Sequence, residues 1–272
     1  MRLIEYTSTV IIIAHRENTA QLEDSLRQEG FHCQVQRQAH QPGQADFARS
    51  YLCFLNHAQA WQWVATHNQP VVIVEADFVP VRGMGRLPLP FDAQQNDVGL
   101  AWLYTCAAQV YDISPKNPNY AQGYSSSMVA YVMTPRAVPS LLQLFERVTQ
   151  DPGPSHYYPW DSELDECLLA QGLRNYVPFR NYGEHGSDNP NPEHQANDLG
   201  RTHRADVLYG PLAFEPAYAT TEGFWRTRLW GRLRGLARLG LGRYAQPHVL
   251  QRAEVPLKIL SFALRRQLSL RL

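Results

Sequence analysis

Charged side chains are scarce in this sequence: Asp, Glu, Lys and Arg together make up 18 % of its 272 residues. With 44 % hydrophobic and 11 % aromatic residues beside them, that excludes a disordered chain and a coiled coil. Cysteine is rare too. Cys33, Cys53, Cys106 and Cys167 stand far apart with no CxxC pair, which excludes a zinc ribbon and a disulfide framework and predicts reduced, buried thiols in a cytosolic protein. No run reaches the ~20 apolar residues of a membrane-spanning helix. The apolar burst at residues 10–14 is too short for a signal-peptide core and lacks a small-residue cleavage site. There is no GxGxxG and no Walker A sequence, which argues against a standard dinucleotide fold and against P-loop ATP hydrolysis. The expectation is a soluble or peripheral protein, cytoplasmic, long enough for one large α/β domain or two small ones.

The zero net charge conceals an asymmetry. Residues 1–221 hold 14 Lys/Arg against 23 Asp/Glu, whereas residues 222–272 hold 11 Lys/Arg against only Glu222 and Glu254. The chain therefore reads as a body, 1–221, and a basic amphipathic helical tail, 222–272. In the body, the β-branched run at residues 9–14 (TVIIIA) marks a strand buried on both faces. Asn18 with Gln21 opens a helix over 19–29 that Gly30 stops, and a strand follows at 31–37. After a Pro/Gly/Gln loop at 41–44, helical spacing of Leu52, Leu55, Trp61 and Val64 predicts a helix over 47–66. Strands are then expected at 70–74, 98–104 and 127–133, a helix from Thr134-Pro135 to about Val148 with Pro139 able to shift its start, a short helix over 161–170, and loop over 182–203. Strands alternating with helices predict an α/β fold with a mostly parallel central sheet and ligands beyond the carboxyl ends of its strands. No internal repeat is present.

Chemistry concentrates in a few places. In Val74-Glu75-Ala76-Asp77 two carboxylates at i and i+2 share one face of an extended chain, roughly 6.5–7 Å apart, where a buried strand emerges. Such a pair can hold Mg²⁺ or Mn²⁺ against a diphosphate; the plainer alternative is two solvated strand-end acids. Asp161, in Pro159-Trp160-Asp161, reads as the N-cap of the helix it opens, or as a carboxylate able to take a proton from a hydroxyl. His185, His194 and His203 fall in an acid-rich loop without zinc-site spacing; one imidazole could complete a carboxylate-bound Mn²⁺, or all three could be solvated. His15 and Arg16 follow the first strand, where Arg pairs with phosphate or is a plain surface cation.

Taken in order, Ser50-Tyr51-Leu52-Cys53-Phe54-Leu55-Asn56-His57-Ala58-Gln59-Ala60-Trp61, Val71 to Asp77, the 127–133 strand running into Thr134-Pro135-Arg136-Ala137, and Pro159-Trp160-Asp161 resemble the family 25 glycosyltransferases of lipopolysaccharide biosynthesis, over roughly residues 8–175. The resemblance implies a GT-A-like fold, a nucleotide-diphospho-sugar donor, a glycan or lipid-linked acceptor, Mn²⁺ or Mg²⁺, and inverting transfer. By position, Glu75 and Asp77 match the outer acids of the family's Glu-Asp-Asp motif, Asp161 its proposed base, and His57 the histidine of its helix motif. Ala76 replaces the middle Asp of that motif and Asn56 a frequent Ser, so a non-catalytic nucleotide- or sugar-binding relative is a second reading and a metal-assisted hydrolase built on the histidine loop a third. On this reading Glu75, Asp77 and His185 are the expected metal ligands, His15, Arg16 and His57 the expected donor contacts, and Asp161 the expected base.

The tail mixes Arg226, Arg228, Arg232, Arg234 and Arg238 with Trp225, Leu229, Trp230, Leu233, Leu236 and Leu239. That mixture describes either an interfacial helix on an anionic membrane surface, such as the inner face of the cytoplasmic membrane, or a pair of basic helices packed on the acidic body. Gly231, Gly235, Gly240 and Gly242 lower its helix propensity. Nucleic acid is not an expected partner, because the aromatic residues lack the context of a recognition module.

Overall fold

In the computed structural model, which describes residues 1–39, 41–106, 108–113, 119–188, 203–243 and 256–269, the TVIIIA run is β1 (Thr9–Ala14) and is buried from Val10 onward. Side chains alternate across a strand, so Ile11 and Ile13 face one apolar layer while Val10 and Ile12 face the other. Helices α3 (Arg49–His67), α4 (Val138–Gln150) and α5 (Leu164–Ala170) cover the first face with Phe54, Trp61, Val64, Leu141, Leu144 and Leu168. On the second face, α1 (Leu3–Tyr6) and α2 (Ala20–Gln28) contribute Leu3, Leu22 and Leu26.

The sheet adds β2 (His32–Arg37), β3 (Val71–Glu75), β5 (Val98–Trp102), β6 (Gln109–Asp112), β7 (Tyr120–Tyr124), β8 (Ala130–Met133) and β9 (Arg174–Pro178), in the order β2-β1-β3-β8-β5-β9-β7-β6. Six of these eight strands point one way; β7 and β8 run against them. The α/β fold is therefore what the chain forms, with most strands sharing one direction and the antiparallel pairings confined to those that β7 and β8 make. A small antiparallel pair joins β4 (Phe78–Pro80) to β10 (Gly183–His185), and β10 lies inside the stretch read as loop.

Several boundaries moved for local reasons. Asn18 accepts the Ala20 amide at 3.0 Å, but Thr19 occupies the cap of α2. Pro135 opens only a 3₁₀ turn (Pro135–Ala137), and α4 starts at Val138 with Pro139 in its first turn. Asp161 does not cap a helix: it lies in a 3₁₀ turn (Trp160–Ser162) ahead of α5, whose cap residue is Glu163.

The two tail helices, Phe224–Gly240 and Pro256–Gln267, lie against the body. Ile259, Phe262 and Ala263 enter the first apolar layer. Gly231 and Gly235 permit the approach, since a Cβ would stand 2.6 Å from the Ala205 carbonyl at the former and 2.2 Å from Gln267 Oε1 at the latter. The helix weakness read from these glycines is thus the means of close packing. No helix among the described residues is long and apolar enough to cross a membrane, and the four cysteines form no disulfide.

Candidate active site

Adjacent parallel strands β1 and β3 end together, and the chain departs from the sheet as His15-Arg16 after one and Ala76-Asp77 after the other. A cleft of about 850 Å³ opens there, lined among others by His15, Arg16, Cys53, Asn56, Glu75 and Asp77. This is the carboxyl edge where an open α/β sheet receives ligands. Because β10 pairs antiparallel with β4, which begins one residue after Asp77, His185 is carried to the same spot. Gly186 closes the approach: its N–H donates to the Asp77 carbonyl at 2.8 Å, and a Cβ at this position would collide with Val79 and with that carbonyl.

Glu75, Asp77 and His185 each direct one ligand atom into a common cluster, all within 4.8 Å of one another. His185 Nε2 faces Asp77 Oδ2 at 2.9 Å and its Nδ1 faces the His203 carbonyl at 3.4 Å. An acceptor within reach of both nitrogens favours the imidazolium form. Burial works against that charge, but Asp77 and, more weakly, Glu75 outweigh it and raise the His185 pKa to about 9. Burial likewise works against the Asp77 carboxylate, while His185 and the nearby Arg204 hold its pKa below the usual value. Asp77 Oδ1 is buried and has no hydrogen-bond partner. An orphaned carboxylate oxygen beside a second carboxylate is the feature a hard divalent cation would satisfy. The donor set of two carboxylates and an imidazole suits Mn²⁺.

Glu75 is itself held from behind. His57 Nε2 donates to Glu75 Oε1 at 3.3 Å, and the Cys53 thiol approaches the same oxygen at 3.8 Å. Burial first, and then the charge of Glu75, push the Cys53 thiol well above its ordinary pKa, so it remains a neutral S–H donor. His57 Nδ1 meets the Tyr131 hydroxyl at 2.9 Å, which also accepts Trp61 Nε1–H at 2.9 Å. His57 is fully buried. It is not among the lining residues of the cleft and holds Glu75 from behind.

Asp161 is fixed by its neighbour. Trp160 stacks on Phe54 of α3 with ring centroids 4.4 Å apart and donates Nε1–H to the Ser50 carbonyl at 3.1 Å. Asp161 is not among the lining residues of the cleft. Its pKa rises to about 7, chiefly through burial, against which local backbone N–H groups act, with Glu75 adding a further raising charge.

No protein-family model matches the chain, and no curated protein does. Among solved structures the chain is similar to the crystal structure of a glycosyltransferase involved in the glycosylation of the major capsid of PBCV-1. That likeness has 10 % identity, covers 62 % of this chain and 80 % of that one, and has a TM-score of 0.41. At that level it assigns no chemistry to this chain; the site has to supply it.

Of the residues singled out from the sequence, the cleft gathers His15, Arg16, Glu75 and Asp77, with His185 completing the acidic cluster. His15 Nδ1 donates to the Gln38 carbonyl at 2.8 Å. His194 lies outside the described residues, and His203 meets the site through its carbonyl. Asn56 accepts Gln36 Nε2–H at 2.8 Å and donates to the Ala14 carbonyl at 3.3 Å, fastening α3 to β1 and β2. Sequence reasoning missed Tyr131, Cys53 and Arg204. Tyr131 had a signal, a hydroxyl inside an otherwise apolar strand, which a buried position obliges to find a partner. Arg204, which donates to the His185 carbonyl at 2.7 Å and stacks over Tyr218, had none that spacing could reveal.

Proposed function

We propose that the cleft binds a nucleotide-diphospho-sugar together with Mn²⁺ or Mg²⁺ and transfers the sugar, with inversion, to a hydroxyl of a glycan or lipid-linked acceptor. The observation that carries this reading is the convergence of Glu75, Asp77 and His185 at the carboxyl edge of β1 and β3, with Asp77 Oδ1 buried and unpartnered. The family resemblance of the sequence points the same way. A divalent cation held by these three groups would neutralise charge on the departing diphosphate.

The chain's own residues do the rest. Arg16, exposed at the mouth of the cleft, meets donor phosphate, and His15 shapes the loop beside it. His57, Cys53 and Tyr131 keep Glu75 turned into the cleft. Asp161, outside the lining of the cleft but near enough for the Glu75 charge to raise its pKa, accepts the acceptor hydroxyl proton while that oxygen bonds to the anomeric carbon and the carbon–diphosphate bond breaks. A carboxylate with a pKa of about 7 suits a base at neutral pH.

One observation favours a second reading. Asp77 already has an ionic partner in His185, and Ala76 removes one acid from the motif, as in a nucleotide- or sugar-binding relative without turnover. A screen of nucleotide sugars with and without Mn²⁺ by thermal unfolding tests both, because a ligand bound to the folded state raises apparent stability by mass action. The first reading predicts a Mn²⁺-dependent shift and product formation with the stabilising donor. A shift without transfer or donor hydrolysis would favour the second, and no shift with any donor would overturn both.

A further inference from the structure

The Phe224–Gly240 helix is turned inside out. Its buried side carries Thr227, Arg228, Gly231, Arg232 and Gly235, while Trp225, Leu229, Leu233 and Leu236, spaced four, four and three apart, form one exposed stripe with Trp230 on its flank. Trp225 and Trp230 are 70 % and 57 % exposed. The orientation is locked from within. Arg228 forms an ion pair with Glu184 that is almost wholly removed from solvent, and Arg232 donates to the carbonyls of Gln267 and Ser269. Rotating the stripe inward would strand both arginines.

The apolar surface continues past the helix. Trp225 and Phe224 also line a recess of about 830 Å³ with Leu208, Leu212 and Phe214. On the adjoining helix Leu257 and Leu264 are exposed, as is Leu268 just past its end. Neither helix contains an acidic residue, and Arg226, Arg234 and Arg265 are exposed on them. The body carries the opposite sign, with 14 Lys/Arg against 23 Asp/Glu over residues 1–221, so a negatively charged surface is met by this side first.

We infer that this face docks on an anionic lipid bilayer, with the Trp225/Leu229/Trp230/Leu233/Leu236 stripe seated in the interface and Arg226 and Arg234 on lipid headgroups. Exposed tryptophan and leucine on a helix whose own charged residues are all cationic is the composition of an interfacial helix, and tryptophan with its one polar N–H suits the headgroup boundary. The division of labour is the new element: the arginines turned inward hold the helix in place, and only the outward ones meet lipid. The proposal does not depend on the metal or the reaction, and its test reads no activity.

The test is co-sedimentation of the full chain with phosphatidylcholine vesicles containing or lacking phosphatidylglycerol, at low and high salt, read together with tryptophan emission. Binding to the anionic vesicles at low salt with a blue-shifted emission is expected. The combined substitution Trp225→Gln, Leu229→Gln and Trp230→Gln should weaken binding at least tenfold, and Arg226→Gln with Arg234→Gln should remove most of its salt dependence. All five residues are exposed, so the variants should keep the parent's unfolding midpoint. The proposal is overturned if the parent stays in solution with anionic vesicles at low salt, or if the variants bind as well as the parent. It is also overturned if the stripe variant disperses a dimer seen by gel filtration while leaving vesicle binding unchanged, which would make a second copy of the chain the true occupant.

Discussion

Burial raises the Asp161 carboxyl to about 7, so between the ordinary carboxyl range and that value the folded chain holds a proton that the unfolded chain has released. Stability conferred by this residue therefore falls as pH rises from about 4 to 7. Asp161→Asn should raise the thermal midpoint at pH 8 and bring little gain near pH 4; an equal midpoint at pH 8 would contradict the burial account. The same substitution should abolish transfer while leaving donor binding intact, and parent turnover should climb with pH through about 7. The Asp77–His185 pair has the same sign on its histidine side, in a higher pH window, and the reverse sign on its aspartate side. With the His185 pKa raised from 6.5 to about 9, its contribution is complete below about 6.5 and disappears as pH rises through about 9. The Asp77 contribution is lost in acid, below its lowered pKa. Mn²⁺ bound through His185 Nε2 must displace that proton, so Mn²⁺ affinity should rise between pH 6 and 9 and binding should release about one proton, measurable by calorimetry in buffers of different ionisation enthalpy. That Glu75 and Asp77 stand together was legible because a short acidic motif ends a strongly patterned strand. The pairing of Asp77 with His185, 108 positions away, has no local signature.

At the scale of elements, β1 and β3 were readable because a strand buried on both faces is a continuous β-branched run. Strands β7 and β10 were not. The sequence YAQGY lacks alternation, and Gly183–His185 forms only because β4 offers it an edge. In the tail the sequence told of two faces but not which one turns inward, because that is decided by Glu184 and Asp206. Glu184 is the buried partner of Arg228 and also accepts the Ala205 amide at 2.8 Å. Asp206 takes Arg266 at 2.6 Å. Removing one partner of such a buried pair strands the other charge, so Arg228→Met should destabilise the fold by about 3–5 kcal/mol in denaturant unfolding. A loss under 1 kcal/mol would mean that the helix is only loosely attached. Gly231→Ala should also destabilise, since the Ala205 carbonyl that a Cβ would meet is main chain and cannot swing aside.

For the molecule as a whole, the opposite charges of body and tail are partly consumed in joining them. A chain ending at residue 221 would leave Glu184 buried without Arg228 and Asp206 without Arg266, and it would uncover the Ile259 and Phe262 contacts of the first apolar layer. Such a truncation should unfold at a clearly lower temperature and with less cooperativity than the full chain; an unchanged midpoint by calorimetry would show that residues 1–221 are self-sufficient. Docking of the tail also bears on the site, because Glu184 and His185 are neighbours on β10: one secures the tail helix while the other closes the acidic cluster. Everything proposed for the chemistry rests on that cluster holding a divalent cation. Mn²⁺ titration of the full chain followed by electron paramagnetic resonance, with Asp77→Asn in parallel, tests this most directly. The account predicts one Mn²⁺ bound per parent chain, and affinity weakened by more than about tenfold in the variant. Parent and variant binding Mn²⁺ equally, or neither binding it with or without a nucleoside diphosphate, would contradict it.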